Sequence, residues 1–201
     1  MGSLFGTDRR SASDERLMEL VVRGDERAFA ELYDRYHGRV LNYFHRMLWS
    51  DRERAQDMLQ DLFAKLAQRP DQYDPGRPFR TWLFSVANNM CKNEYRREEV
   101  RRAAVPELRH NGRAVQEPHA GEAVDRAHFR RRLNEELDRL DPDQKATFVM
   151  RYEEDLAIKE IALAFGISEG TVKSRLFYTL KKLADRLKEF GPMPLPHHGR
   201  A

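Results

Sequence analysis

The chain has one cysteine, Cys91, in 201 residues. An internal disulfide is therefore excluded, and so is a cysteine-rich zinc site. Cys91 sits on a helical pattern beside Met90 and reads as a small packed side chain, not a nucleophile. Long apolar runs are also missing, since no stretch approaches the ~20 residues that a membrane span requires. Met1 to Ser13 carries no apolar run after its charges and does not read as a secretory signal. The expectation is a cytoplasmic protein without membrane insertion. Alternating strand patterns are absent, as is any internal repeat. There is no phosphate-cradling glycine loop and no convergent His/Asp/Glu cluster. Paired acids such as Glu153 with Glu154, or Asp57 with Asp61, read as helix surface, and the adjacent His197 and His198 fall in a proline-rich tail. No catalytic residue, metal or cofactor is expected.

What is present is charge. Charged residues make up 34% of the chain, yet the net charge is only +3. The distribution carries more information than the sum. Residues 133–160 hold 4 basic and 9 acidic side chains, whereas residues 168–190 hold 6 basic and 3 acidic. A basic contact surface beside an acidic support is the footprint of a polyanion-binding element.

Helical periodicity runs almost unbroken from Asp14 to about Arg102. Asp25 reads as an N-cap before Phe29, Leu32, Tyr33, Tyr36, Val40, Leu41, Phe44 and Leu48. Ser50 with Glu53 reads as a capping box for the next helix, whose stripe is Ala55, Met58, Leu59, Leu62, Phe63 and Leu66. Residues 69–78, with three prolines and a glycine, are turn chemistry. A further helix is predicted from Phe79, burying Trp82, Leu83, Val86, Ala87 and Met90. Residues 103–126 lose this patterning and read as a flexible linker. Helix resumes from Ala127, and Asp141-Pro142 opens another, with Phe148, Val149 and Tyr152 as its apolar side. The expected organisation is all-α: a tail over 1–13, a helical domain over 14–102, the linker, a second helical domain over 127–190, and a disordered tail over 191–201.

Residues 157–187 read as a helix-turn-helix. Ala162 is small where two helices cross, Gly166 can take the positive φ that ends the first helix, and Ile167 plugs the angle. Ser168 caps the second helix, and Val172, Leu176, Leu180, Leu183 and Leu187 line one face. Glu169, Thr171, Lys173, Ser174, Arg175 and Tyr178 are left on the N-terminal half, where a recognition helix meets the major groove. Lys173 and Arg175 suit phosphates or guanine edges.

This motif resembles both sigma-factor domain 4 and the output domain of LuxR-type regulators, and the N-terminal half decides between them. Asp25-Glu-Arg-Ala-Phe-Ala-Glu-Leu-Tyr-Asp-Arg-Tyr resembles the opening of domain 2 in the sigma-70 family. The closer likeness is to the extracytoplasmic-function (ECF) group, which keeps only domains 2 and 4. Arg54 to Lys65 is similar to that group's polymerase-binding helix. Pro78 to Met90, followed by Tyr95-Arg96-Arg97, resembles its promoter-reading helix. The resemblance covers Asp14 to Phe190 in order.

Several roles follow from the resemblance. It implies that Asp57, Gln60, Asp61 and Lys65 dock on the β′ clamp of core RNA polymerase, and that the β flap is a further polymerase contact. It implies minus-ten recognition and strand separation by Tyr73, Arg77, Phe79, Arg80, Asn88, Asn89, Lys92, Arg96 and Arg97, with phosphate contacts from Arg101 and Arg102. Exposed aromatics beside arginines suit capture of unstacked bases, although Phe79 also fits a core position and Trp82 favours one. Asn88 and Asn93 depart from the basic and acidic residues usual there. An anti-sigma partner is implied as well. The competing reading is a stand-alone helix-turn-helix regulator, which would need a dimer interface; no sustained heptad supplies one.

Overall fold

The computed structural model describes residues 9–49, 51–104 and 122–191. Every regular element among them is helical, and they form two compact units, 9–104 and 122–191. The predicted tails over 1–8 and 192–201, most of the predicted linker (105–121), and Ser50 lie outside the described residues.

The first unit contains α1 (Asp14–Val22), α2 (Glu26–Met47), α3 (Arg52–Gln68) and α4 (Phe79–Ala104). Each of the first three begins on an oxygen-bearing cap. Ser13 accepts from the Arg16 amide, Asp25 from those of Arg27 and Ala28, and Asp51 from that of Arg54. These bonds satisfy donors that a helix start cannot pair internally. The α3 cap is thus Asp51 and not Ser50, and no capping box forms there.

The core is built from Leu32, Tyr36, Val40, Tyr43 and Phe44 of α2, the complete stripe expected on α3, and Phe79, Leu83, Phe84, Ala87 and Cys91 of α4. Each fully buried aromatic or aliphatic side chain stabilises the fold by about 1.5–3 kcal/mol relative to exposure. The buried face of α4 differs from the expected one. Phe84, Asn88 and Cys91 point inward, while Trp82, Val86 and Met90 are only half-buried. Tyr43 sets this rotation: its ring meets Phe84 at 5.5 Å, and its hydroxyl donates to Asn88 Oδ1 at 3.1 Å. Residues 9–13 also pack against this unit. Arg35 donates to the carbonyls of Arg9, Arg10 and Ala12 and to the Asp14 and Glu31 carboxylates.

The second unit contains α5 (Glu122–Leu137), α6 (Pro142–Tyr152), α7 (Ile158–Phe165) and α8 (Glu169–Arg186). The start of α5 precedes the expected Ala127. Asp141 caps α6 with Pro142 in its first turn. Tyr152, expected on the apolar side, is exposed and lies against Phe148 at 4.9 Å. Gly166 ends α7 at φ 65°, and the Ile167 amide donates back to the Ala162 carbonyl at 3.0 Å. Open space surrounds Gly166 where a Cβ would stand, so only backbone strain opposes substitution. Gly166→Ala is therefore expected to cost about 1 kcal/mol of stability; thermal denaturation of the full-length protein checks this, and an unchanged midpoint would remove the turn from the stability account.

Candidate nucleic-acid interface

Helix α8 starts where Ser168 Oγ accepts from the Thr171 amide at 3.1 Å and meets the Thr171 hydroxyl at 2.9 Å. Its rear face, Val172, Leu176, Leu180 and Leu183, is buried. This seals the helix onto its unit and fixes which side faces out. Glu169, Thr171, Lys173, Ser174 and Tyr178 all stand on the open side, with Tyr178 58% exposed. Arg175 is placed differently. Its side chain is only 25% exposed, and its Nη2 pairs with Asp143 Oδ2 of α6 at 3.0 Å. Sequence spacing could not show this pair, because Asp143 comes from another helix.

In the first unit, Asp57, Gln60, Asp61 and Lys65 form one exposed stripe along α3, opposite its buried apolar face. Ala64 lies exposed between them, so the stripe is a smooth, polar and partly acidic surface.

The aromatic cluster before α4 faces inward. Tyr73 is buried, correcting the expectation of an exposed ring; Phe79, which fitted either place, is buried too, and Trp82 is half-buried. Tyr73 meets Phe79 at 5.7 Å and Trp82 at 5.5 Å, while Tyr36 meets Phe79 at 5.4 Å. The Tyr73 hydroxyl donates to the Arg77 carbonyl at 2.7 Å, which closes the loop on itself. Burial, reinforced by Glu15, Asp74 and Asp14, pushes the Tyr73 phenol up to about 12, so it remains a neutral donor. A residue that the sequence reading missed fixes the start of α4: Glu15 Oε1 accepts from the Phe79 amide at 3.0 Å. No local signal announces it, since the two are 64 positions apart.

Along α4, Asn88 is buried on Tyr43 and cannot reach DNA in this arrangement. Its spacing from Phe84, Ala87 and Cys91 was a readable core signal. Asn89, Arg96 and Arg97 are exposed, whereas Arg77, Arg80 and Lys92 are half-buried. Arg77 pairs with Asp74 at 3.3 Å and Arg97 with Glu94 at 3.7 Å. Arg101 pairs with Glu98 at 3.1 Å. The structure thus brings an exposed polar and basic set together on α4 and leaves three of the expected contacts, Tyr73, Phe79 and Asn88, in the core.

Residues 32–101 match the family model for sigma-70 region 2, and residues 130–183 match that for sigma-70 region 4. An ECF RNA polymerase sigma factor of Mycobacterium tuberculosis, SigL, is 34% identical over 161 residues, covering 80% of this chain and 89% of that protein. The ECF sigma factor SigW of Bacillus subtilis is 25% identical over 182 residues, covering 87% and 97%. Among solved structures, CnrH in complex with the cytosolic domain of CnrY aligns with a TM-score of 0.64 at 27% identity, covering 89% of this chain and 99% of that one. The sigma factor RpoE of Bartonella quintana, in complex with the anti-sigma factor NepR, shares the fold with a TM-score of 0.66 at 19% identity, covering 80% and 96%.

Proposed function

This chain belongs to the ECF group of sigma-70 family RNA polymerase sigma factors, and from that premise we propose how its two units divide the work of initiation. As an alternative sigma factor it binds core RNA polymerase and directs transcription initiation. Within that function, α8 reads the minus-thirty-five element through Glu169, Thr171, Lys173, Ser174 and Tyr178. The observation that carries this reading is that all of them stand on the open side of a helix whose opposite face is buried. The stripe Asp57, Gln60, Asp61 and Lys65 docks on the β′ clamp, and the second unit meets the β flap.

Minus-ten recognition and opening fall to Arg77, Arg80, Asn89, Lys92, Arg96 and Arg97. Loop 69–78 holds an unstacked non-template base, at an unstacking cost of a few kcal/mol. Tyr73 and Phe79 serve that loop from beneath, by fixing its shape, and not as stacking platforms. Two modest DNA contacts become useful once both are attached to one large enzyme.

The protein acts as a non-catalytic subunit in the cytoplasm, at the nucleoid when in holoenzyme, and an anti-sigma protein covers its polymerase-binding surfaces until a signal arrives. Solved relatives bound to a partner, one of them an anti-sigma factor, support the existence of such a partner. Among the described residues no helix is long and apolar enough to cross a membrane. A stand-alone operator-binding regulator is disfavoured, because the relatives matched across both units are polymerase sigma factors.

In vitro transcription with purified core polymerase and a promoter library tests the whole reading. Transcripts that start below a shared pair of motifs, only when the protein is added, are expected. No association with core, combined with tight operator binding by the free protein, would overturn it.

The Asp143–Arg175 pair makes a finer prediction. If Arg175 reads a base, its loss costs about 1–3 kcal/mol at one promoter position. If it acts as a strut to α6, Arg175→Ala and Asp143→Ala weaken every minus-thirty-five sequence alike. The 3.0 Å pairing favours the second outcome, and transcription from single-base promoter variants separates the two.

A further inference from the structure

The turn between α2 and α3 holds a residue that none of these roles uses. Trp49 has φ 52°, and among the described residues Asp155 is the other non-glycine with positive φ. Aspartate tolerates the left-handed region; a bulky aromatic side chain is a real outlier there. Such strain persists where the surrounding structure over-determines it, and it clusters at functional positions. Burial does not account for it, since Trp49 is 42% exposed.

What the conformation achieves is placement. The indole lies against Tyr95 of α4, with ring centroids 5.0 Å apart and planes at 60°. Tyr95 is itself fixed, because its hydroxyl donates to the Met47 carbonyl at 2.5 Å. The last residue of α2 thus anchors a ring of α4, and that ring backs Trp49. Asn93, Arg96 and Arg97, the near neighbours of Tyr95 in sequence, are exposed, and the Arg97 side chain is 75% exposed. An open indole packed on a tyrosine whose sequence neighbours are exposed arginines and an asparagine is a composition that suits nucleic acid: the ring packs on bases or sugars while the cations take phosphates.

We propose that Trp49, buttressed by Tyr95, is a further promoter-contacting residue, adding an aromatic contact to DNA held by the C-terminal half of α4. The inference rests on the reading of α4 as the minus-ten helix.

Glycine at this position separates the ring's role from the backbone's, because glycine adopts positive φ without steric cost. Full-length Trp49→Gly is expected to melt at or above the wild-type temperature and to bind core polymerase with unchanged affinity. Its holoenzyme is nevertheless expected to hold promoter DNA about five- to tenfold more weakly, as loss of one base–aromatic contact implies. Trp49→Phe is expected to recover most of that loss. Wild-type promoter affinity for Trp49→Gly would overturn the proposal. So would a lowered melting temperature, which makes the ring a folding element, or a loss confined to core affinity, which places the ring on polymerase. An Arg96→Ala, Arg97→Ala double variant separates the two levels of inference. Unchanged promoter affinity in that variant removes the reading of α4 itself. A loss there, beside wild-type behaviour in Trp49→Gly, removes only the role of Trp49.

Discussion

Asp61→Arg is expected to lower holoenzyme assembly by at least about tenfold, because a like-charge clash against a basic partner surface costs several kcal/mol. Asp61 stands exposed in the middle of the α3 stripe, between Asp57 and Lys65 at one helical turn on either side. An arginine there is a good helix former and gains Asp57 as an i−4 partner, so the fold is expected to change by less than about 0.5 kcal/mol. The effect is therefore isolated to the surface. Titration of the variant against core polymerase measures it, with a thermal melt as the control. Asp61→Ala removes attraction without adding repulsion and is expected to lose about 1 kcal/mol. Unchanged assembly with Asp61→Arg would take this residue out of the polymerase interface, and would leave Asp57 and Gln60 to be tested in its place.

Glu136→Ala is expected to produce the largest loss of stability. The Glu136 side chain is 2% exposed, yet three arginines converge on it. Arg139 approaches Oε1 at 2.5 Å and Arg132 at 3.7 Å, while Arg186 reaches Oε2 at 3.0 Å. Arg186 closes α8, so this carboxylate ties α5 to the last turn of the recognition helix. Its removal leaves three like charges around a small void. Breaking a buried pair costs about 3–5 kcal/mol. The arginines here reach solvent, which brings the expectation down to about 2–3 kcal/mol. Glu136→Gln keeps the shape and an acceptor, and about half that loss is expected. Amide exchange is the informative measurement: α5 and α8 should lose protection while α2 and α3 keep theirs. Equal protection in the variant would show that the arginines find other partners.

The parts of the fold that the sequence disclosed are those set by neighbours along the chain. Gly166 and Ser168 act on backbone groups within a turn or two, and Val172, Leu176, Leu180 and Leu183 of α8 repeat at helical spacing, so periodicity exposes them. The same holds for α3, whose apolar stripe is buried residue for residue. Where partners come from distant segments, spacing falls silent. Glu15 on the Phe79 amide and Asp143 on Arg175 are pairings between helices, and neither residue type announces its partner. Asn88 illustrates a different failure. A polar side chain on a helix expected to face DNA invites a contact reading, but its position among Phe84, Ala87 and Cys91 marks the core, and Tyr43 supplies the hydrogen bond that burial demands. Tyr73 and Phe79 show that turn-rich sequence around aromatic residues does not imply open rings. Prolines leave the loop few conformations, and folding can tuck the rings under it.

The Arg35 cluster bears on where the folded body begins. The matched sigma-70 region 2 starts at residue 32, inside α2, but Arg35 spends most of its donors on residues 9–14. Trimming the chain to the matched segment would strip those acceptors from a half-buried guanidinium and remove Glu15 from the start of α4. The first residues of this body are thus a clasp on the helix that follows them. Fusions and cleavage sites at this end are best set ahead of Arg9, where the hydrogen-bonded wrap remains whole.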